Sequence, residues 1–391
     1  MARILIGWEL GAGLGHVLSM KAMGAALIAR GHHVAFALQR VDAMPGGLPE
    51  TSLLFQSPLW PRLSILAEPV TLKPAVTLID ILARLGLDRP GCLTSMIRAW
   101  DGILAGFDPH ITITDFAPAL LIAAQGRMPT IATGPGFQVP PDDLDPPARL
   151  GGAAPGYDEA EMLDLIDADL RDAGREAVPS LSGLFRCSRR AIASFAALDP
   201  YGRPAGPDFV APGIGLWTAP AAVPGDEVFV YVNGPLQRND ALWAGLGATG
   251  LPIRAHIPVP DKALHNHIAS FGIMVERQPL PWPGIANRSR MAVTHGAHGS
   301  MCALMVAGMP QLAIPYDLEK RLHSEALART GLGRLLADEQ GLKPSTVTDA
   351  VLAMYGDAAI LSHIRSQAPY FGKHMTPDFE TSVANLVDNL L

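Results

Sequence analysis

The chain is poor in cysteine, in charge and in long apolar runs. Its three cysteines, Cys92, Cys187 and Cys302, are scattered through 391 residues. They form neither a disulfide framework nor a CxxC metal knuckle, as expected of a protein in a reducing cytoplasm. Charged residues make up only 17% of the sequence and leave a net charge of −7. Nucleic-acid binders carry a basic surplus, so that class of partner is excluded. The longest apolar region, residues 111–133, is broken by Asp115, Pro118, Gln125, Arg127 and Pro129. It makes a poor transmembrane span, which leaves membrane contact at most peripheral. The opening run Arg3-Ile-Leu-Ile-Gly7 is too short for a signal peptide and lacks a cleavage pattern.

Apolar residues are plentiful, at 49%. With this length they imply two cores, hence two domains, and no general disorder. Short apolar runs alternate with segments of helical periodicity. Ile4 to Gly7 reads as a strand, Gly11-Ala-Gly13-Leu-Gly15 as a loop, residues 18–30 as a helix stopped by Gly31, and 33–38 as the next strand. Residues 108–115 and 129–133 are further strands with a helix between them, and 160–187 read as helix. Residues 41–100 are irregular, a place for loops and helices that carry a variable binding surface. A Pro- and Gly-dense stretch, 199–226, reads as a linker. Beyond it, strands at 228–232, 253–257, 274–275, 291–294 and 311–314 start a second set. Strands alternating with helices give an α/β protein with parallel sheets. The expected division is residues 1–215, residues 216–375, and a helix at 376–391 returning to the first domain. Two Rossmann-like domains then face each other across a ligand cleft.

The richest stretch runs from Met291 through His295-Gly-Ala-His-Gly299-Ser300 to Gly308-Met-Pro310 and on to Pro315-Tyr-Asp-Leu-Glu319-Lys320. The strand delivers His295 to the carboxyl edge of its sheet. Gly296 and Gly299 allow close approach of backbone to ligand, and Ser300 opens a helix. The amides and dipole at a helix N-terminus favour phosphate, and His295 is expected to donate a further hydrogen bond. Glu319 is placed to accept bonds from sugar hydroxyls.

The first loop supports two readings. As a dinucleotide fingerprint, Gly11-x-Gly13-x-Gly15 has His16 where a glycine belongs and Gln39-Arg40 where an acid should end the second strand. Arg40 would suit a 2′-phosphate, which keeps an NADP-dependent oxidoreductase as an alternative. The other reading is a Gly-His turn, Gly15-His16, opening the first helix. Asp143-Leu-Asp145 and Asp167-Ala-Asp169 resemble a short metal motif, but they read as solvated surface. His265, His267, His295 and His298 lack a third ligand at a usual spacing. No metal site and no resident cofactor are expected.

Together these motifs resemble GT-B glycosyltransferases of the UDP-glycosyltransferase type, including the bacterial macrolide and antibiotic transferases. That family's signature runs approximately HGGxxS/T, EA, GxP, P, DQxxNA, GxG. Here its places are taken by His295-Gly-Ala-His-Gly-Ser300, Ala303-Leu304, Gly308-Met-Pro310, Pro315, Glu319-Lys320-Arg-Leu-His323-Ser324 and Gly331-Leu-Gly333. The resemblance implies that His295, Gly296, Gly299 and Ser300 bind the diphosphate of a UDP- or dTDP-sugar. Gly15, Asn233 and Gly234 are implied near the donor, and Trp282 stacks on its base. It implies that His16 is the general base for the acceptor hydroxyl and that Asp115 holds its other ring nitrogen. The implied reaction is a metal-independent, inverting, hexosyl-type transfer to a small or lipid-like acceptor.

Two departures stand out. The family Glu that holds the ribose falls on Ala303, and the sugar-reading Asp-Gln falls on Glu319-Lys320. The cation at Lys320 points to an acidic sugar. Loss of the ribose Glu keeps open a non-catalytic nucleotide-sugar-binding protein. A sugar-nucleotide epimerase, which shares the fold, is a further alternative.

Overall fold

The computed structural model describes residues 1–11, 14–42, 46–63, 75–151, 153–215, 225–336 and 341–391. Gly13, part of the irregular 41–100 region and the middle of the linker lie outside the described residues. The chain divides into two compact units.

The first unit comprises Met1–Ser194, Arg203–Gly213 and Phe379–Leu391. Its strands are β1 (Arg3–Trp8), β2 (His33–Leu38), β3 (Leu53–Gln56), β4 (Ile111–Asp115), β5 (Thr130–Gly134), β6 (Arg189–Ala193) and β7 (Phe209–Val210). They form one sheet in the order β3-β2-β1-β4-β5-β6-β7, every pairing parallel. β4 and β5 are buried along their whole length, as a parallel strand covered on both faces must be. The helices are α1 (Leu14–Ala29), α2 (Leu78–Leu82), α3 (Cys92–Phe107), α4 (Pro118–Ala124) and α5 (Glu159–Asp172).

Among its described residues, the irregular region thus contains the edge strand β3, the helix α2 and the start of α3. The expected helix at 160–187 ends at Asp172, where Gly174 takes a positive φ of 70° and releases the chain. Asp169 is buried rather than solvated. Its carboxylate accepts the amides of Gly91 at 2.7 Å and Leu93 at 2.9 Å, capping α3.

The second unit comprises Phe195–Gly202 and Ile214–Asp378. The division therefore differs from a single cut at 215/216: residues 195–202 count with the second unit, because they pack there rather than continue β6. Its strands are β8 (Glu227–Tyr231), β9 (Ile253–His256), β10 (Met274–Glu276), β11 (Ser289–Thr294), β12 (Gln311–Ala313) and β13 (Gly333–Leu335). Their order, β10-β9-β8-β11-β12-β13, repeats the plan of the first sheet, again all parallel. Its helices are α6 (Asp240–Gly247), α7 (Lys262–Ala269), α8 (Trp282–Arg288), α9 (His298–Val306), α10 (Leu318–Arg329), α11 (Pro344–Tyr355) and α12 (Ala358–Lys373).

One close contact in this unit makes a firm prediction. A Cβ at Gly245 in α6 would lie 2.5 Å from the Pro344 carbonyl and 2.6 Å from Val347 Cβ in α11. Gly245→Ala is expected to cost about 1–3 kcal/mol through overpacking. A chemical-denaturation midpoint equal to the wild type would contradict it.

The chain closes with α13 (Phe379–Asp388) in the first unit. Phe379, Val383, Ala384 and Val387 join the core that holds Met20, Met23 and Leu27 of α1. Arg30 fastens the pair with bonds to Asp388 at 2.6 Å and Asn385 at 2.8 Å. Among the described residues, no helix is long and apolar enough to cross a membrane.

Candidate active site

In open parallel sheets, ligands gather at the carboxyl edge where the strand order reverses direction. In the first sheet that point lies between β1 and β4. The loop after β1 leads into α1, whose first turn carries Gly15 and His16. β4 ends on Asp115, paired in register with Trp8. The topology thus brings together two residues 99 positions apart: His16 Nδ1 lies 2.8 Å from Asp115 Oδ1.

A carboxylate only accepts, so in the neutral ring Nδ1 carries the proton and Nε2 the lone pair. The imidazole stacks on Trp8 at 5.5 Å and on Phe116 at 6.5 Å, each at 19°. Its side chain keeps 12% exposure, and that of Asp115 keeps 5%. Two backbone conformations serve this arrangement. Phe116 has a positive φ of 48°, and its carbonyl accepts the Leu10 amide at 3.1 Å. Gly11 has φ 91°, and a Cβ there would sit 2.4 Å from His16 Nε2. Phe116 also lines an apolar recess with Leu78, Leu121, Val139 and Phe185.

At the end of the second strand, where the dinucleotide reading wants an acid, the side chains have local partners. Gln39 donates to the Glu9 carbonyl at 2.7 Å, and exposed Arg40 is bonded to Asp42 at 2.9 Å.

In the second sheet the reversal lies between β8 and β11. The segment after β11 carries His295, Gly296 and then α9. That helix starts at His298, two residues before Ser300, so Ser300 lies within its first turn. Ala297 at the N-cap supplies no side-chain acceptor, which leaves the first-turn amides without that partner. Gly299 is exposed there and Ser300 is 9% exposed. Gly296 has φ 82°, and a Cβ would meet Ser324 Oγ at 2.6 Å and the Lys320 carbonyl at 3.0 Å. The start of α10 therefore packs directly beneath this turn.

His295 is 1% exposed, and burial pushes its pKa down to about 4. Its Nδ1 lies 3.2 Å from the Tyr231 carbonyl and donates to it. This corrects one expectation: in the neutral ring Nδ1–H is engaged, so Nε2 donates to a phosphate only once His295 is protonated. Rings line the strand ends here. His256 (β9) stacks on Tyr231 (β8), which tilts against His295 (after β11), which stacks on Tyr316 (after β12). These four strands are neighbours in the sheet. Tyr316 donates to Asn233 Oδ1 at 2.6 Å, tying in the Asn233-Gly234 turn that follows β8.

Lys320 does not present a spare cation. Asp317 caps α10 through the Lys320 amide at 2.9 Å and also takes the Lys320 ammonium. Although burial opposes its charge, this pairing leaves the Lys320 pKa raised. The ammonium lies 4.6 Å over the Tyr316 ring. An acidic sugar therefore finds no unpaired positive charge in Lys320. Glu319 is half-buried in the first turn of α10, not in a loop. Trp282, first residue of α8, is half-buried against the cluster of Phe229, Ile285 and Leu304. Ala303 is fully buried, and its methyl offers no hydrogen-bond acceptor.

Sequence reasoning passed over Glu9, which is fully buried beside the Gly-His loop. A lone acid after an apolar run reads as the start of a solvated loop. It also passed over the contact between half-buried His298 and buried His323, whose ring centroids lie 5.0 Å apart.

No protein-family model matches the chain. In sequence it is similar to the NDP-glycosyltransferase YjiC of Bacillus subtilis (strain 168), at 28% identity over 128 residues. That match covers 33% of this chain and 30% of the relative, so the chain spans under a third of that curated protein. Solved structures match far more of it. The glycotransferase of kitacinnamycin gives a TM-score of 0.72 at 17% identity, covering 100% of this chain and 99% of that one. The spinosyn rhamnosyltransferase SpnG complexed with thymidine diphosphate gives 0.65 at 17% identity, covering 99% and 100%. The chain therefore has the GT-B fold, in the form it takes in solved glycosyltransferases of the macrolide and antibiotic type.

Proposed function

We propose that the protein is an inverting glycosyltransferase that moves a sugar from a nucleoside diphosphate sugar to the hydroxyl of a largely apolar acceptor. The observation that carries this reading is the 2.8 Å bond from His16 Nδ1 to Asp115 at the switch point of the first sheet. A passive nucleotide-sugar binder has no use for such a pair, and the glycosyltransferase fold, rather than the pair itself, sets this reading above a dinucleotide oxidoreductase. A hydroxyl is a poor nucleophile at neutral pH, and an imidazole whose other nitrogen is held by a carboxylate is suited to take its proton. The acceptor oxygen then forms a bond to the anomeric carbon as the bond to the diphosphate breaks, and the configuration inverts. Asp115 steadies the imidazolium.

The first unit takes the acceptor, with the recess at Phe116 receiving its apolar part. The second unit takes the donor. The diphosphate lies on the first-turn amides of α9, with Gly296, Gly299 and Ser300 against it, and it draws a proton onto His295. Charge developing on the leaving diphosphate is met by groups already oriented toward it. Trp282 stacks on the base, and Glu319 accepts from sugar hydroxyls. No metal is assigned a part. Two similarities support the donor class: the name of the B. subtilis relative and the thymidine diphosphate bound by SpnG.

A thermal-melt panel with dTDP, UDP, GDP and NADPH tests the donor class. A ligand at a hundred times its Kd adds about 2.7 kcal/mol of stability. dTDP or UDP is expected to raise the melting temperature and NADPH to leave it unchanged. The opposite pattern would overturn the reading.

A further inference from the structure

Glu9 follows β1 directly and is fully buried. Four N–H groups converge on its carboxylate. Oε1 accepts from Trp100 Nε1 at 2.8 Å and the Leu120 amide at 2.7 Å. Oε2 accepts from Trp60 Nε1 at 2.8 Å and the Ala119 amide at 3.1 Å. All four partners are donors that cannot accept, so an acid proton on Glu9 would displace one of them. Burial pushes the carboxyl up to about 7, while these bonds pull it down.

The sequence positions of the partners give this carboxylate its significance. On one side, Glu9 sits between Trp8, whose ring stacks on His16, and Gly11, whose missing Cβ faces His16 Nε2. On the other, Ala119 and Leu120 open α4, four and five residues after Asp115 and just beyond Phe116. Glu9 therefore ties the loop that leads to His16 to the segment that presents Asp115. A second tie between these segments runs from the Leu10 amide to the Phe116 carbonyl. Trp8 Nε1 donates to the Leu10 carbonyl at 2.6 Å, fixing the ring that flanks the imidazole.

We propose that Glu9 is a positioning residue for the His16–Asp115 pair, its buried carboxylate holding the two segments in the register that closes the bond between them. The proposal rests on His16 being the base. It adds that the alignment of the base is set by a third side chain touching neither reactant.

Glu9→Gln keeps the shape but turns an amide NH2 toward N–H donors that have lost their acceptor. The variant is expected to lower kcat about ten- to a hundredfold, the scale of a small misplacement of a catalytic group. The KM for the donor, which binds in the other unit, should stay within about twofold of wild type under the same alignment effect. The discriminating readout is the downfield proton resonance of His16 Nδ1–H, which reports the bond to Asp115 without any turnover. It should shift upfield or be lost in the variant. A folded Glu9→Gln protein with wild-type kcat and an unchanged resonance overturns the proposal.

If Glu9→Gln does not fold, Trp60→Phe and Trp100→Phe each remove one donor and keep an aromatic ring. The resonance should shift in both, and no shift in either overturns the proposal. Should the wild type transfer no sugar at all, the base assignment fails, while the resonance still decides whether Glu9 sets the pair.

Discussion

Replacing His16 by alanine is expected to lower kcat for sugar transfer about a thousandfold, within the range that a positioned general base contributes. Affinity for the nucleoside diphosphate should be almost unchanged, because that ligand is assigned to the other unit. Asp115→Asn should act in the same direction by a different route. An amide in place of the carboxylate can offer its NH2 to Nδ1, which favours the tautomer that puts the proton on Nε2 and leaves no lone pair for the acceptor. The double variant should be little worse than His16→Ala alone, since residues that act as a unit do not add. Nucleotide-release kinetics with an acceptor, together with dTDP titration of each variant, would check this. A His16→Ala protein that turns over at the wild-type rate removes the imidazole from the mechanism. One that loses dTDP binding to the same degree as activity would show that the side chain supports structure rather than proton transfer.

The second large effect is on stability in mild acid. His323 is 1% exposed, and neither ring nitrogen has a hydrogen-bond partner. Burial first, then the neighbouring His298 and Lys320, hold its pKa well below the ordinary value of 6.5. It is thus neutral in the folded state and charged in the unfolded state once pH falls below about 6.5. The unfolded chain then binds more protons, so stability is complete above that pH and is lost as pH falls. The slope is about 1.4 kcal/mol per pH unit for one such imidazole. His295 acts with the same sign, from the unfolded value of 6.5 down to about 4. Glu9 acts against both, because its carboxyl is raised in the folded state.

The net slope is therefore a poor test, and the difference between wild type and His323→Asn is a good one. That variant places at 323 the residue of the family signature. Urea denaturation at pH 7, 6 and 5 should show the variant losing less stability than wild type, by about 1.4 kcal/mol for each unit below 6. Parallel lines for the two proteins would mean that His323 takes up a proton as readily folded as unfolded.

Much of this architecture was legible in the residues. Parallel strands buried on both faces are short and rich in apolar and β-branched residues, and β1, β4, β8 and β11 each carry such a run. β6 does not. It begins with Arg189 and Arg190 after a run of polar residues, because its first residues are not fully buried. Position 169 misled in the opposite direction, since an acidic helix face looks solvated until another helix places its amides against it. The Gly-His turn and the acid-ended strand were legible because spacing carries them. The conformations that make them work were not: nothing in the string Asp115-Phe116-Ala117 shows that Phe116 takes a positive φ. Glu9 was illegible for a similar reason. Its donors come from positions 60, 100, 119 and 120, and only the fold brings them to one point.

The helix α13 has a consequence for how the chain acquires its structure. Phe379, Val383 and Val387 complete the core around α1, yet in sequence they follow the whole of the second unit. During synthesis, the sheet that carries His16 and Asp115 emerges early, with the α1 surface that α13 will cover still bare. The second unit, whose strands and helices are contiguous apart from residues 195–202, can close first. The earlier-made half is then finished last, when a segment synthesised long after it returns to seal its face.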